Sequence, residues 1–266
     1  MSGHLYLYYI LPIPTIPTAS MIRTLLVVLL IGGMSAHAAG AQASDDALPL
    51  YYAVEENATI YSTPDYSKPY IRLKFREPVY RLDKKGGWLQ VRTQDGAQGY
   101  VRASEVSNIW IRVSKTNKTL YVYEGTDLLK KIPADFGLNA FSDKERRGSS
   151  REPDHWRTPD GVFFVVKRNA RSQFYKALVL NYPTAEDAER GRKQRLITED
   201  QYRAIITAEE KFQTPPMNTA LGGWIEIHGR GTGAGANWTQ GCVAIRDAHI
   251  DELWKWAQVG TPVLIE

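Results

Sequence analysis

The chain has 266 residues, 43% of them hydrophobic, which is enough for one or two cored domains. Lys and Arg number 33 against 29 Asp and Glu, and these mildly excess cations are scattered; that argues against nucleic-acid binding and leaves an anionic polymer or surface open. A single cysteine excludes an internal disulfide, and no Cys/His cluster has metal-ligand spacing, so neither a metal nor any other cofactor is expected.

Near the N-terminus, Met21-Ile22-Arg23 precedes the apolar run 25–31, and small-residue sites follow at Ala36-His37-Ala38, Ala39-Gly40-Ala41 and Ala41-Gln42-Ala43. One positive charge, a short apolar core and Ala-x-Ala predict a secretory leader over residues 1–43, with Met21 as an alternative start. The alternative, an uncleaved anchor, is disfavoured because the core falls well short of the ~20 residues a spanning helix needs. Pro12, Pro14 and Pro17 break any longer helix. In an exported chain a lone thiol is either a small buried hydrophobe or a reactive group.

Residues 44–107 are expected to form a small all-β module. Strand-like runs fall at 51–54, 58–61, 71–73, 78–82, 88–92 and 99–101, with turns at Ser62-Thr63-Pro64-Asp65, Lys85-Gly86-Gly87 and Gln94-Asp95-Gly96. So many short strands close a small barrel. Tyr61-Ser62-Thr63-Pro64, Gly86-Gly87-Trp88-Leu89-Gln90-Val91-Arg92 and Gly99-Tyr100-Val101 resemble the bacterial SH3-like domains of exported wall proteins. The resemblance implies a peptide- or wall-binding accessory; the alternative is a structural module whose Trp88 and Tyr100 serve its core.

The second domain, 108–266, begins with alternating runs at 109–113 and 119–124 joined by Lys115-Thr116-Asn117-Lys118, and residues 130–137 continue its sheet. Residues 141–157 form a long charged loop. Thr158-Pro159-Asp160-Gly161 turns into a strand at 162–167, and another follows at 177–182. Thr184 with Asp187, and Thr198 with Gln201, have capping-box spacing and start two helices of an insertion over about 184–213. Tyr202, Ile205, Ile206 and Glu209 share a stripe, and Pro215-Pro216 ends the run. The insertion either walls a substrate cleft or simply packs. Near the C-terminus Asp247 is expected to cap a helix that buries Ile250, Leu253, Trp254 and Ala257, with His249 a packing or surface residue. Gly260 stops that helix and residues 262–265 close the sheet.

Between these elements, the apolar runs around Ile227 and Val243 read as neighbouring strands joined by the flexible Gly-rich loop 230–237, which brings His228 beside Cys242. A cysteine nucleophile needs a base, and His228 is the candidate. Its second ring nitrogen needs an acceptor, either Glu226 on the same strand face or the carbonyl of Gly229. Gly241 lets backbone N–H groups converge where an oxyanion would form. The G-x-G-x-x-A match at Gly231-Thr232-Gly233-Ala234-Gly235-Ala236 is accidental, since no helix follows it and no βαβ unit surrounds it.

Ile227-His228-Gly229 followed by Thr239-Gln240-Gly241-Cys242-Val243 resembles the signature of the L,D-transpeptidase (YkuD-type) catalytic domain. Thr158-Pro159-Asp160-Gly161, Leu180-Asn181-Tyr182-Pro183, Asn218-Thr219-Ala220-Leu221-Gly222-Gly223 and Gly260-Thr261-Pro262-Val263 extend the likeness over about 109–265. The implied fold is mainly β with a helical insertion: a small SH3-like barrel followed by a YkuD-type β-sandwich catalytic domain. The resemblance implies Cys242 as acylated nucleophile, His228 as base, Gly229 as the carbonyl that orients it, and N–H groups of Gln240, Gly241 and Cys242 as the oxyanion hole. Trp238, Thr239, Arg246 and Tyr182 are the candidate substrate contacts. Many members carry His and Arg where this chain has Gln240 and Ala244. The implied partners are peptidoglycan stem peptides, with an outer-membrane lipoprotein as a further acceptor or substrate, in the periplasm or cell envelope of a bacterium.

Overall fold

A computed structural model describes residues 48–266; the expected leader lies outside the described residues. The first strands are β1 (Leu50–Ala53), β2 (Thr59–Tyr61), β3 (Pro69–Arg72), β4 (Pro78–Lys85), β5 (Trp88–Thr93), β6 (Gln98–Arg102) and β7 (Val106–Ser107). They form one seven-stranded sheet in the order β3-β2-β6-β5-β4-β1-β7, antiparallel throughout. In β5 the half-buried and buried positions alternate, as a strand with one face on a core requires. Ile60, Leu73, Val79, Leu89, Val91 and Val101 fill that core. The expected SH3-like barrel is therefore present.

The chain changes sheets between Ser107 and Ile109. The next strands are β8 (Ile109–Ser114), β9 (Thr119–Glu124), β10 (Asp127–Pro133), β11 (Phe136–Gly137), β12 (Gly161–Ser172) and β13 (Tyr175–Leu180). Helices α1 (Ala185–Lys193) and α2 (Glu199–Glu210) follow, then β14 (Glu226–His228), β15 (Asn237–Thr239), β16 (Val243–Ala244), α3 (Asp247–Trp256) and β17 (Pro262–Ile265). Eight of the strands run in the order β10-β9-β8-β17-β12-β13-β14-β16, while β11 and β15 pair separately. The long β12 is the joint: Gly161 to Phe164 pair with β17, and Val165 onward pairs with β13 through two register shifts. Ile111 and Leu120 from one end of that order meet Leu178, Ile227 and Val243 from the other in a single core. The sheet thus curls into two facing layers round one interior, closed by Ile250 and Leu253 of α3.

Both capping boxes form at the helices of the insertion, Thr184 with Asp187 and Thr198 with Gln201. The two helices have their own small core of Ala188, Ile197, Ile205 and Leu221. Glu209, expected on the apolar stripe of α2, instead accepts a hydrogen bond from the Ala185 N–H at 2.6 Å and ties the two helices together. Asp247 does not cap α3. The N-cap position is Arg246, without a side-chain bond, and the Asp247 carboxylate accepts from the Arg230 N–H at 2.7 Å.

The barrel is docked on the second sheet. The Tyr52 hydroxyl donates to the Ile109 carbonyl at 2.6 Å. Arg76 lies over Phe164 of β12 at 4.6 Å, and Phe212, just past α2, meets both Phe75 and Phe164 edge-on. Phe75 also packs against Gly260, where an added Cβ would lie 2.7 Å from the ring. One aromatic cluster therefore joins the barrel, the second sheet and the end of the insertion.

Candidate functional site

His228 ends β14, whose neighbours are β13 and, in parallel, β16. Ile227 and Val243 are register partners and both point into the core, so Glu226, His228, Cys242 and Ala244 fall on the opposite face by strand alternation. His228 is 1% exposed. Its Nδ1 lies 2.7 Å from the Gly229 carbonyl, which can only accept, so in the neutral ring Nδ1 carries the proton and Nε2 is left unprotonated. Of the two expected orienting groups, the Gly229 carbonyl is the one within hydrogen-bonding reach of Nδ1; the Glu226 carboxylate makes no hydrogen bond among the described residues. Phe174 stacks on the imidazole at 4.3 Å and Trp238 meets it edge-on. Burial lowers the histidine below its ordinary pKa, while the Gly229 hydrogen bond and the Asp135 charge oppose that shift.

Cys242 stands at the entrance to β16, partly exposed. Gly241 before it has φ +129°, and a Cβ there would lie 2.6 Å from the Arg157 carbonyl, so only glycine fits. The thiol donates to the Trp224 carbonyl at 3.4 Å, and no hydrogen bond joins it to His228 in this resting arrangement. Burial and the Glu226 charge push it up to about 12, opposed by a backbone hydrogen bond from Glu226 and by the Lys144 charge. At rest, Cys242 is a neutral thiol. Of the three expected oxyanion donors, Gly241 already gives its N–H to Thr239 Oγ1 at 3.2 Å, whereas Gln240 and Cys242 have no backbone partner among the described residues.

The loop 230–237 is fastened, contrary to the flexibility expected of its glycines. Asp135, fully buried between β10 and β11, accepts from the Thr232 N–H at 2.6 Å, the Thr232 hydroxyl at 2.8 Å, the Ala236 N–H at 2.9 Å and the Trp238 indole at 2.9 Å. Its backbone also exchanges both hydrogen bonds with Ala244. Those bonds hold the Asp135 carboxyl below the usual range although burial alone would raise it. Gly233 and Gly235 supply the positive φ that this tight path needs.

The remaining expected contacts divide. Trp238 is 40% exposed at the rim, and Arg246 is exposed with its Nε donating to the Thr232 carbonyl at 3.2 Å. Thr239 and Tyr182 are not available to a substrate. Thr239 is buried and its hydroxyl donates to the Cys242 carbonyl at 2.7 Å, while fully buried Tyr182 donates to the Leu221 carbonyl at 3.1 Å. Sequence reasoning missed Asp135, Phe174, Trp224 and Lys144. The signal for Asp135 was a charge set between Ala134 and Phe136, both core residues. Trp224, 54% exposed with φ +56°, had none.

The loop 141–157 lies against this site and is held by the insertion. Arg190 of α1 donates to the Lys144 carbonyl at 2.8 Å, and Arg147 donates to the carbonyls of Thr219 and Met217. Lys144 is 3% exposed, and its ammonium donates to the His155 carbonyl at 3.2 Å.

Compared with known proteins, residues 108–265 match the sequence profile of the L,D-transpeptidase catalytic domain, and residues 54–108 match that of a bacterial SH3 domain. No curated protein matches the chain. Among solved structures it is similar to an L,D-transpeptidase from Xylanimonas cellulosilytica at 15% identity, covering 60% of this chain and 61% of that one, with a TM-score of 0.36. A second is Bd1075 of Bdellovibrio bacteriovorus, at 21% identity, 60% and 47% coverage and a TM-score of 0.37. A third is the catalytic domain of an Enterococcus faecium L,D-transpeptidase acylated by ertapenem, at 13% identity, 60% and 98% coverage and a TM-score of 0.34. The chain thus spans about half to three-fifths of the length of the first two. Superpositions this loose carry no weight beside the sequence profiles.

Proposed function

The chain belongs to the L,D-transpeptidase catalytic-domain family over residues 108–265, and from that premise we propose that it is a cysteine acyltransferase acting on peptidoglycan stem tetrapeptides. The observation that carries this reading is the shared strand face of Cys242 and His228, with the imidazole held by Gly229 so that Nε2 is the base. Rotation of the Cys242 side chain away from the Trp224 carbonyl turns the sulfur toward that ring. His228 Nε2 then takes the thiol proton as the sulfur attacks the carbonyl carbon of the bond between the L-centre of diaminopimelate and terminal D-Ala.

The C–S bond forms and the carbonyl electrons move to oxygen, which the N–H groups of Gln240 and Cys242 stabilise on this reading; their having no backbone partner among the described residues supports that role. Collapse breaks the C–N bond, and D-Ala leaves with the proton from His228. An amine then attacks the thioester, gives its proton to His228 and regenerates the thiol. A diaminopimelate amine yields a 3–3 crosslink; a lysine of an outer-membrane lipoprotein yields a wall-anchored protein.

On this reading residues 1–43 are the export leader, 44–107 a wall-facing accessory domain and 108–266 the catalytic domain, working in the periplasm or cell envelope. The test is product analysis with purified tetrapeptide muropeptides, with and without an amine acceptor. Crosslinked or amine-exchanged product is expected. Release of D-Ala by water alone would assign a carboxypeptidase or amidase on the same scaffold. No turnover would leave a catalytically silent wall-binding protein.

A further inference from the structure

The face that carries Cys242 also carries two buried charges that no ion pair satisfies. One residue before the Ile227–Val243 register pair, Glu226 stands on β14 across from Cys242 in the adjacent strand. Glu226 is 9% exposed, and its carboxylate makes no hydrogen bond or ion pair among the described residues. From the other side comes Lys144, on the loop that the insertion presses against the Cys242 turn. A Cβ on Gly222 would lie 3.2 Å from Lys144 Cε, and one on Gly241 would lie 2.6 Å from the Arg157 carbonyl of the same loop. The Lys144 ammonium has one neutral acceptor, the His155 carbonyl, and no ion pair among the described residues.

A buried charge without an ion-pair partner is costly to the fold. Glu226 neighbours Cys242 across the paired strands, and Lys144 Cε packs at Gly222, two residues before the Trp224 carbonyl that holds the thiol, so the two opposite charges both lie beside the sulfur. The other charges facing Lys144 are Arg147, Arg157 and Asp143; Lys167 faces Glu226, and Asp135 faces His228.

We propose that Lys144 and Glu226 are an opposed pair of positioning charges that set how readily Cys242 yields its proton, Lys144 favouring the thiolate and Glu226 resisting it. The pair works through the sulfur and touches neither the leaving group nor the acceptor. Glu226 keeps the resting thiol neutral and unreactive. Lys144 gains its missing anionic partner only when the proton moves to His228, so its interaction is strongest once the thiolate forms. The inference rests on Cys242 being the nucleophile.

The test uses the fact that the chain has one cysteine, so alkylation of the full-length protein by iodoacetamide, followed by intact mass, reports on Cys242 alone. Near neutral pH, Glu226→Gln is expected to alkylate about tenfold faster than wild type and Lys144→Met about tenfold slower. Lys144→Arg is expected to stay near wild type, and Lys144→Gln gives a second neutral variant that keeps a donor for the His155 carbonyl. Both substituted side chains approximate the native size, so a change in access would move the rates together. Rates that do not change, or that change in the same direction for Glu226→Gln and the neutral Lys144 variants, overturn the proposal. Opposed rates without muropeptide turnover would sink the transpeptidase reading and leave this one standing; unchanged rates with normal turnover would do the reverse.

Discussion

On the proposed mechanism Cys242 reacts as a thiolate, yet burial and the Glu226 charge push its thiol up to about 12, so reactivity depends on delivering the proton to His228 during attack. Cys242→Ala should fold as wild type and form no acyl adduct, checked by circular dichroism and intact mass. His228→Gln should also fold, while its acylation slows by about a hundredfold or more, the usual reach of a positioned base. Because burial sets His228 below its ordinary pKa, the proposed base stays unprotonated through neutral pH and on into the acid side of the ordinary imidazole range. Acylation should therefore hold level from neutral pH down to that region and fall only below it. A decline beginning above neutrality would assign the base elsewhere. Lys144 makes a stability prediction with a definite sign. Burial pulls it down to about 8 from an unfolded value of 10.5, so the unfolded chain binds more protons between those values and stability rises with pH across them. In Lys144→Met that rise should vanish, and stability at neutral pH should increase by on the order of 2–3 kcal/mol, read from denaturant unfolding at two pH values.

Among the elements, the loop between β14 and β15 matters most, because its path sets the approach of Trp238 and β16 to His228. Four hydrogen bonds from Thr232, Ala236 and Trp238 converge on the Asp135 carboxylate. Asp135→Ala should cost about 3 kcal/mol or more by stranding buried donors, with a matching loss of acylation rate, seen together in a thermal melt and an adduct time course. At the barrel junction, Phe212→Ala should cost about 2 kcal/mol, less than a fully buried ring, and lower the melting temperature by several degrees while leaving Cys242 reactive. Much of this was legible in the sequence where the pattern is local. The capping boxes at Thr184 and Thr198 and the alternation in β5 are decided within a few residues. The capping role expected of Asp247 failed because a long-range donor, the Arg230 N–H, competes for the same carboxylate.

In the molecule as a whole, the curl of the sheet through β12 makes the site, since it brings β14 and β16 together over a core shared with β8 and β9. The signature that contains His228 and Cys242 was visible as a motif, whereas its surroundings were not. Phe174 reaches the imidazole from a hairpin, Asp135 holds Trp238 from a distant strand end, and Lys144 approaches Cys242 from a charged loop whose sequence shows no periodicity. Such contacts depend on tertiary approach, so composition and spacing do not disclose them. Tyr182 and Thr239 show the converse: polar residues near the motif that the fold commits to its own hydrogen bonds. The most direct measurement is intact mass of the full chain after exposure to a carbapenem, with the adduct mapped by peptide. Wild type should gain a single carbapenem on Cys242 and Cys242→Ala none. An unmodified wild type, or an adduct that persists in Cys242→Ala, would contradict the assignment of this sulfur as the nucleophile.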